Sequence, residues 1–168
     1  MEQQEKIADS PTGWVADHIR TYVESAGAEG HDFNGFATLL LTTRGRRSGL
    51  LRRTALIYGR DGEEYVLVAS NGGEPKHPLW YLNLTAEPQV EIQVGAQRFS
   101  ARARTAGPDR RPALWQRMTE LFEPYSNYQT GNPREIPIVL LEVTEELESA
   151  VPAEQAAPVG QDERKEKQ

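Results

Sequence analysis

The 168-residue sequence predicts an α+β fold, mainly β, built on an antiparallel sheet with a few helices. Three observations carry this. Short apolar or alternating runs recur along the chain. Turn signals such as Asp61-Gly62 and Gly95-Ala96 join neighbouring runs too closely for a crossover helix, so the strands pair as hairpins. Helical spacing of apolar residues is confined to a few segments.

Trp14, Val15, His18, Ile19, Tyr22, Val23 and Ala26 predict an amphipathic helix over Gly13–Ser25, followed by a glycine-bearing loop to Gly35. Ala37–Thr42 is apolar on both faces and reads as a buried strand. Arg53–Tyr58 alternates loosely as a second strand, and Glu64–Ala69 returns as a third. Ser70–Lys76 is a loop. Pro78 suits a helix start, Leu79–Ala86 continues it and Pro88 stops it. Val90, Ile92 and Val94 alternate with polar residues, and Gln97–Arg104 pairs back. Pro108 opens a helix whose stripe is Leu114, Trp115, Met118, Leu121 and Phe122. Pro124–Glu135 reads as a polar loop and Ile136–Thr144 as the last strand. The total is about six strands, and spacing alone leaves barrel closure open.

Composition narrows the function. Residues 1–12 hold three acids and one lysine, and residues 145–168 hold seven acids and three bases. These ends carry the whole net charge of -6, so the body from Gly13 to Thr144 is neutral. We expect residues 1–12 to be a disordered tail, 13–144 one domain, and 145–168 a disordered acidic tail. Cysteine is absent, which excludes disulfides and thiolate catalysis. The three histidines lack ligand spacing, so no metal site is expected. The polar N-terminus is not a targeting peptide, and no apolar run approaches the ~20 residues of a membrane span. A cytoplasmic protein is expected.

Arg44–Arg53, RGRRSGLLRR, places five arginines in ten positions, and no acid occurs from Phe33 to Tyr58. Guanidinium forks match phosphate and carboxylate oxygens. Such a loop is either a solvated turn or an anion cradle. Asn71-Gly72-Gly73 is either a flexible turn or a close approach for a flat ring, with the Ser70 hydroxyl beside it. Asn83, in an apolar helix, needs a polar partner if buried. Tyr125 and Tyr128 are either surface residues or pocket caps that supply hydrogen bonds or a proton. No P-loop, dinucleotide fingerprint or nucleophile elbow occurs.

TTRGRRSG, VASNGG, HPLWYLNL, the alternating VEIQV, a Tyr-x-x-Tyr loop and Ile-Pro-Ile-Val follow one another over Phe36 to Val143. This series resembles the deazaflavin-dependent nitroreductase and quinone reductase family, actinobacterial oxidoreductases that use reduced coenzyme F420, whose tail is a phosphate followed by polyglutamate. The resemblance implies a split β-barrel of the flavin-reductase or FMN-binding type with flanking helices. It implies cofactor contacts from Arg46, Arg47 and Ser48, from Arg52, Arg53, Thr54, Ala55, Leu56 and Ile57, and from Val68, Ala69, Ser70 and Asn71. It implies further contacts from Leu79, Trp80, Tyr81, Leu82 and Asn83, with Tyr125 closing over the ring. Ser70, Tyr125 and Tyr128 are the candidates for orienting or protonating the substrate. Asn71 stands where members often carry lysine, and Phe122 where some carry tyrosine.

The implied activity is hydride transfer from reduced F420 to a small-molecule acceptor: a quinone, a nitro-compound or an activated enone. The alternatives are a split-barrel protein binding FMN or a heme-type ligand, and a non-catalytic F420 carrier. A neutral body without a second basic patch argues against nucleic acid. Quinones are lipidic, which leaves room for weak membrane association at the inner face, although the polar face of the first helix (Asp17, Arg20, Glu24) is not basic. The sequence fits a monomer or a homodimer.

Overall fold

The computed structural model describes residues 6–11 and 13–153. In chain order the elements are β1 (Ile7–Asp9), α1 (Gly13–Glu24), β2 (Asp32–Phe33), β3 (Phe36–Arg44), β4 (Leu51–Ile57), β5 (Gly59–Asp61), β6 (Glu64–Val68), α2 (Leu79–Ala86), β7 (Gln89–Val94), β8 (Gln97–Thr105), α3 (Arg111–Leu121), α4 (Pro124–Gln129) and β9 (Ile138–Leu147). The fold is α+β, mainly sheet. The strands form one open sheet in the order β1-β4-β3-β7-β8-β9-β6-β5, with β2 on β3. All pairs are antiparallel except β1 with β4.

The period of two along each strand sorts the core into faces. Leu39, Leu41, Leu67, Val90, Ile92, Ala101, Val139 and Leu141 form one cluster with Leu84 of α2. Because it gathers side chains from β3, β6, β7, β8 and β9, the sheet curls around this inner face. Leu40 points the other way and packs on Ile19 and Tyr22 of α1. Val66, Val68, Ile138 and Leu140 likewise point outward, onto Leu114 and Met118 of α3 and Tyr125 of α4. Two helical caps thus cover opposite parts of the outer face.

Tyr22 pins α1 to this frame. Its buried hydroxyl donates to the Thr38 carbonyl at 2.9 Å and accepts from the Gly95 N–H at 2.8 Å. Burial pushes the phenol pKa well up, so it stays neutral. The chain leaves α1 through Gly27 at φ +84°, where a Cβ would stand 2.4 Å from the Gly95 backbone. Tyr22→Phe removes the Gly95 acceptor at a packed junction. We expect a loss of about 1–3 kcal/mol in urea unfolding with an unchanged slope; a wild-type midpoint would contradict this.

The structure corrects several expectations. Residues 1–12 are not wholly disordered: Ile7–Asp9 pairs with Leu51–Arg53, and the Ser10 N–H reaches the Arg53 carbonyl. Three residues on a free sheet edge suffice for pairing, which a composition argument does not detect. The last strand does not stop at Thr144: β9 runs to Leu147 and pairs Glu145, Glu146 and Leu147 with β8. Residues 1–5, 12 and 154–168 lie outside the described residues. Pro108 heads a turn rather than the helix itself, which begins at Arg111 after the Gly107 carbonyl accepts two N–H groups. The stretch Pro124–Glu135 contains α4. The glycine-bearing loop before β3 contains an Asn34-Gly35 hairpin, both residues at positive φ, that joins β2 to β3.

Candidate functional site

The arginine loop bridges β3 and β4 and is internally braced. The Gly45 N–H donates to the Leu50 carbonyl, the Gly49 N–H to the Gly45 carbonyl, and the Arg44 guanidinium to the Gly49 carbonyl at 2.8 Å. The Ser48 hydroxyl accepts from the Leu50 N–H, and a Cβ on Gly45 would meet that hydroxyl at 2.7 Å. A side chain there would have to turn the Ser48 hydroxyl out of its bond and would crowd the Leu50 carbonyl at 3.2 Å. Arg46, Arg47 and Arg52 are exposed, and no ion pair involves them among the described residues. Ser48 is engaged within the turn, so its hydroxyl already has a hydrogen-bond role in shaping the loop.

The run Arg52–Ile57 cannot face one ligand as a whole. Its pleat sets Arg52, Thr54 and Leu56 opposite Thr43, Leu41 and Leu39 on the inner side. Arg53, Ala55 and Ile57 take the outer side, where Ala55 packs on the α1 cluster. Arg53 is also already paired: its Nε and Nη2 meet Asp9 Oδ1 and Oδ2 at 2.6 and 3.2 Å. The acid that holds it lies 44 residues away, outside the acid-free stretch that marked the cluster.

Asn83 joins α2 to this loop. It is 7% exposed; Oδ1 accepts from the Arg46 N–H at 3.0 Å and Nδ2 donates to Thr43 Oγ1 at 3.2 Å. Both halves of the amide are thus satisfied, as burial requires. Along α2, Trp80 and Tyr81 pack on the inner core beside Leu56, whereas Leu79 is 73% exposed. The Tyr81 hydroxyl meets Thr105 Oγ1 at 2.8 Å.

Val68 and Tyr125 belong to one cluster, so the VASNGG segment and α4 are brought together. Ala69 and Ser70 are buried, and Asn71, Gly72 and Gly73 all have positive φ within a single 3₁₀ turn. The close packing extends to Gly73, where a Cβ would lie 3.1 Å from the Tyr128 ring. Aromatic rings continue the contact from Phe36 to Phe122 (5.0 Å), to Tyr125 (4.8 Å) and to Tyr128 (6.3 Å). Burial, and then the neighbouring Tyr128 phenol, push the Tyr125 pKa well up, so Tyr125 is a neutral hydrogen-bond donor throughout the ordinary pH range.

Two residues not singled out from the sequence organise this region. Arg134 donates to the carbonyls of Ala69, Ser70 and Glu74 and to His77 Nδ1. Asn132 Nδ2 donates to the Gly73 carbonyl at 3.0 Å. Burial, and secondarily the Arg134 charge, hold the His77 pKa below its ordinary value. Tandem polar residues after a tyrosine pair carry no pattern that marks such a clamp. An open cavity of about 440 Å³ lies between these segments, lined by Gly72, Gly73, Tyr128 and Asn132 among others. A second, of about 420 Å³, lies on the outer face at Thr42, Arg44, Leu51 and Glu91 and contains none of the expected site residues.

The model of the F420H(2)-dependent quinone reductase family matches residues 14–143. An F420H(2)-dependent quinone reductase of Mycobacterium tuberculosis strain H37Rv is 42% identical over 128 residues, 74% of this chain and 86% of that protein. The solved structure of an F420-H2 dependent reductase aligns with TM-score 0.58 at 38% identity, over 62% of this chain and 93% of its own. Another, described as a domain-swapped dimer, aligns with TM-score 0.62 at 35% identity over 79% of this chain and 100% of its own.

Proposed function

The chain belongs to the F420H(2)-dependent quinone reductase family, and on that premise we propose that Arg46, Arg47 and Arg52 hold the anionic tail of coenzyme F420 while Ser70, Tyr125 and Tyr128 serve a quinone acceptor. The protein is an oxidoreductase with F420 as its cofactor. Nitro-compounds and activated enones are proposed as further acceptors because they too are electron-poor. The curling of the sheet around one inner core supports a split β-barrel. One domain running from β1 to β9 is the matching reading of the chain's organisation.

The observation that carries this reading is the set of exposed guanidinium groups without carboxylate partners among the described residues, on a loop that is itself braced. That donor set fits a phosphate and a chain of carboxylates. When bound, the reduced deazaflavin supplies the hydride. The protein's part is to bind, orient and protonate. Thr54 and Leu56, on the inner side of β4, would border the cofactor with Ala69–Asn71 and with Trp80–Asn83, while Val68, turned outward onto Tyr125, would support that segment from behind. Leu79 offers an exposed apolar surface beside them. The Tyr125 phenol, neutral at ordinary pH and made a weaker acid by burial, offers a hydrogen bond to the acceptor oxygen. The Ser70 and Tyr128 hydroxyls orient that acceptor.

Oxidation of reduced F420 with menadione tests the function. Turnover with F420, and none with reduced FMN, is expected; binding of F420 without turnover across quinones and nitroarenes would instead make the protein a carrier. Tyr125→Phe should lower kcat/KM for the quinone on the order of 10²-fold and leave the F420 Kd unchanged. Wild-type kcat/KM in this variant would remove Tyr125 from the chemistry. The solved relative described as a domain-swapped dimer supports a homodimer. No described helix is long and apolar enough to cross a membrane, and α1 turns Ile19 and Tyr22 onto the sheet, so membrane anchoring forms no part of this reading.

A further inference from the structure

Resting on the reading of Ser70, Tyr125 and Tyr128 as the acceptor side, we propose that Arg134 is a positioning residue: its guanidinium fixes the 69–77 loop against α4 and so sets where Ser70 stands relative to the two tyrosines. Four acceptors converge on this one side chain. Nη2 reaches the Ser70 carbonyl at 2.8 Å, Nη1 the Ala69 carbonyl at 3.2 Å, and Nε the Glu74 carbonyl at 3.1 Å. Nη1 also lies 3.2 Å from His77 Nδ1, which accepts only while the ring is neutral. Arg134 has no carboxylate partner among the described residues; its neighbour Glu135 pairs with Arg111 instead. A half-buried guanidinium satisfied by loop carbonyls fixes the path of the backbone, whereas a surface ion pair would leave it free to move.

The loop needs such outside support. Three successive residues with positive φ, Asn71, Gly72 and Gly73, form a turn that its own two backbone bonds hold weakly. Asn132 grips the same turn through the Gly73 and Glu74 carbonyls, and Gln129 of α4 donates to the Arg134 carbonyl. Arg134 therefore ties the Ser70 loop to the helix that carries Tyr125 and Tyr128. Lysine cannot reproduce this, because three donors on a flexible stem do not match a fork spread over four acceptors.

The test compares Arg134→Ala and Arg134→Lys with the wild type. Hydrogen exchange at the Gly73 and Glu74 amides, which bond to Ser70 and Asn71, should accelerate in both variants without any cofactor present. With reduced F420 and menadione, kcat/KM for the quinone should fall by about 10–100-fold, the scale of a small misplacement, with a smaller rise in the F420 Kd because the same loop borders the cofactor. Arg134→Lys keeps the cation and remains readable if the alanine variant does not fold. Adding Ser70→Ala to either variant should cost little more, since both changes act through one hydroxyl. Unchanged exchange, or effects of Ser70 and Arg134 that simply add, would overturn the positioning role. A Ser70→Ala variant with wild-type kinetics would instead overturn the acceptor-side reading, and the exchange measurement would still decide whether Arg134 holds the loop.

Discussion

Replacing Arg46 and Arg52 together by alanine weakens F420 binding on the order of 10²-fold, from two charge-assisted contacts at about 1.5 kcal/mol each. The rate constant at saturating cofactor stays near wild type, because a grip on the distant tail acts equally on ground and transition states. Both side chains are exposed, so the effect shrinks as salt is raised toward a Debye length of about 3 Å at 1 M. Arg53→Ala is the built-in control. Arg53 is held by Asp9 on the outer side of β4, so its loss should disturb the β1 edge and leave the F420 Kd close to wild type. Stopped-flow rates and fluorescence titration separate the two quantities. A normal Kd in the double variant would contradict the tail site.

Asn83→Leu lowers stability by about 1–3 kcal/mol, or on the order of 2–4 °C in Tm per kcal/mol for a chain of this size. Leucine has a similar volume but offers nothing to the Arg46 N–H or the Thr43 hydroxyl. The arginine loop loses its anchor to α2, so F420 affinity falls together with Tm. Asn83→Asp keeps an acceptor for the Arg46 N–H but loses the donor to Thr43 and adds a buried carboxylate beside the anion site, so it should hold the loop better than leucine without restoring wild-type affinity. Equal affinity in wild type and Asn83→Leu would show that the loop does not depend on this bond. The amide was marked in the sequence by its polarity inside an apolar helix; its partners, 37 and 40 residues earlier, could be known only from the fold.

That contrast runs through the molecule. The limits of α2 were legible because Pro78 and Pro88 act locally on φ and on the N–H donor. Leu40 against Leu39 and Leu41 followed from strand alternation. The same alternation, applied to Arg52–Ile57, separates Arg52 from Arg53 and divides a run that resemblance had treated as continuous. Long-range pairs left no local trace. Asp9 lies in a polar tail, yet three residues of pairing bring it to Arg53. Arg134 sits in a stretch that reads as loop, and its meaning depends on carbonyls some 60 residues away. Type and spacing mark Tyr125 and Tyr128, but the burial that pushes the Tyr125 pKa up arises from Val68, Met118 and Ile138 closing around it.

Charge on the arginine loop, rather than contact with the ring alone, selects the cofactor in this reading. Calorimetric titration of the protein with intact F420 and with the same deazaflavin lacking its phosphate and glutamates tests it most directly. The intact coenzyme should bind on the order of 10²-fold tighter at low salt, a gap that closes in the Arg46→Ala, Arg52→Ala variant. Equal affinity for the two molecules in the wild-type protein would contradict it.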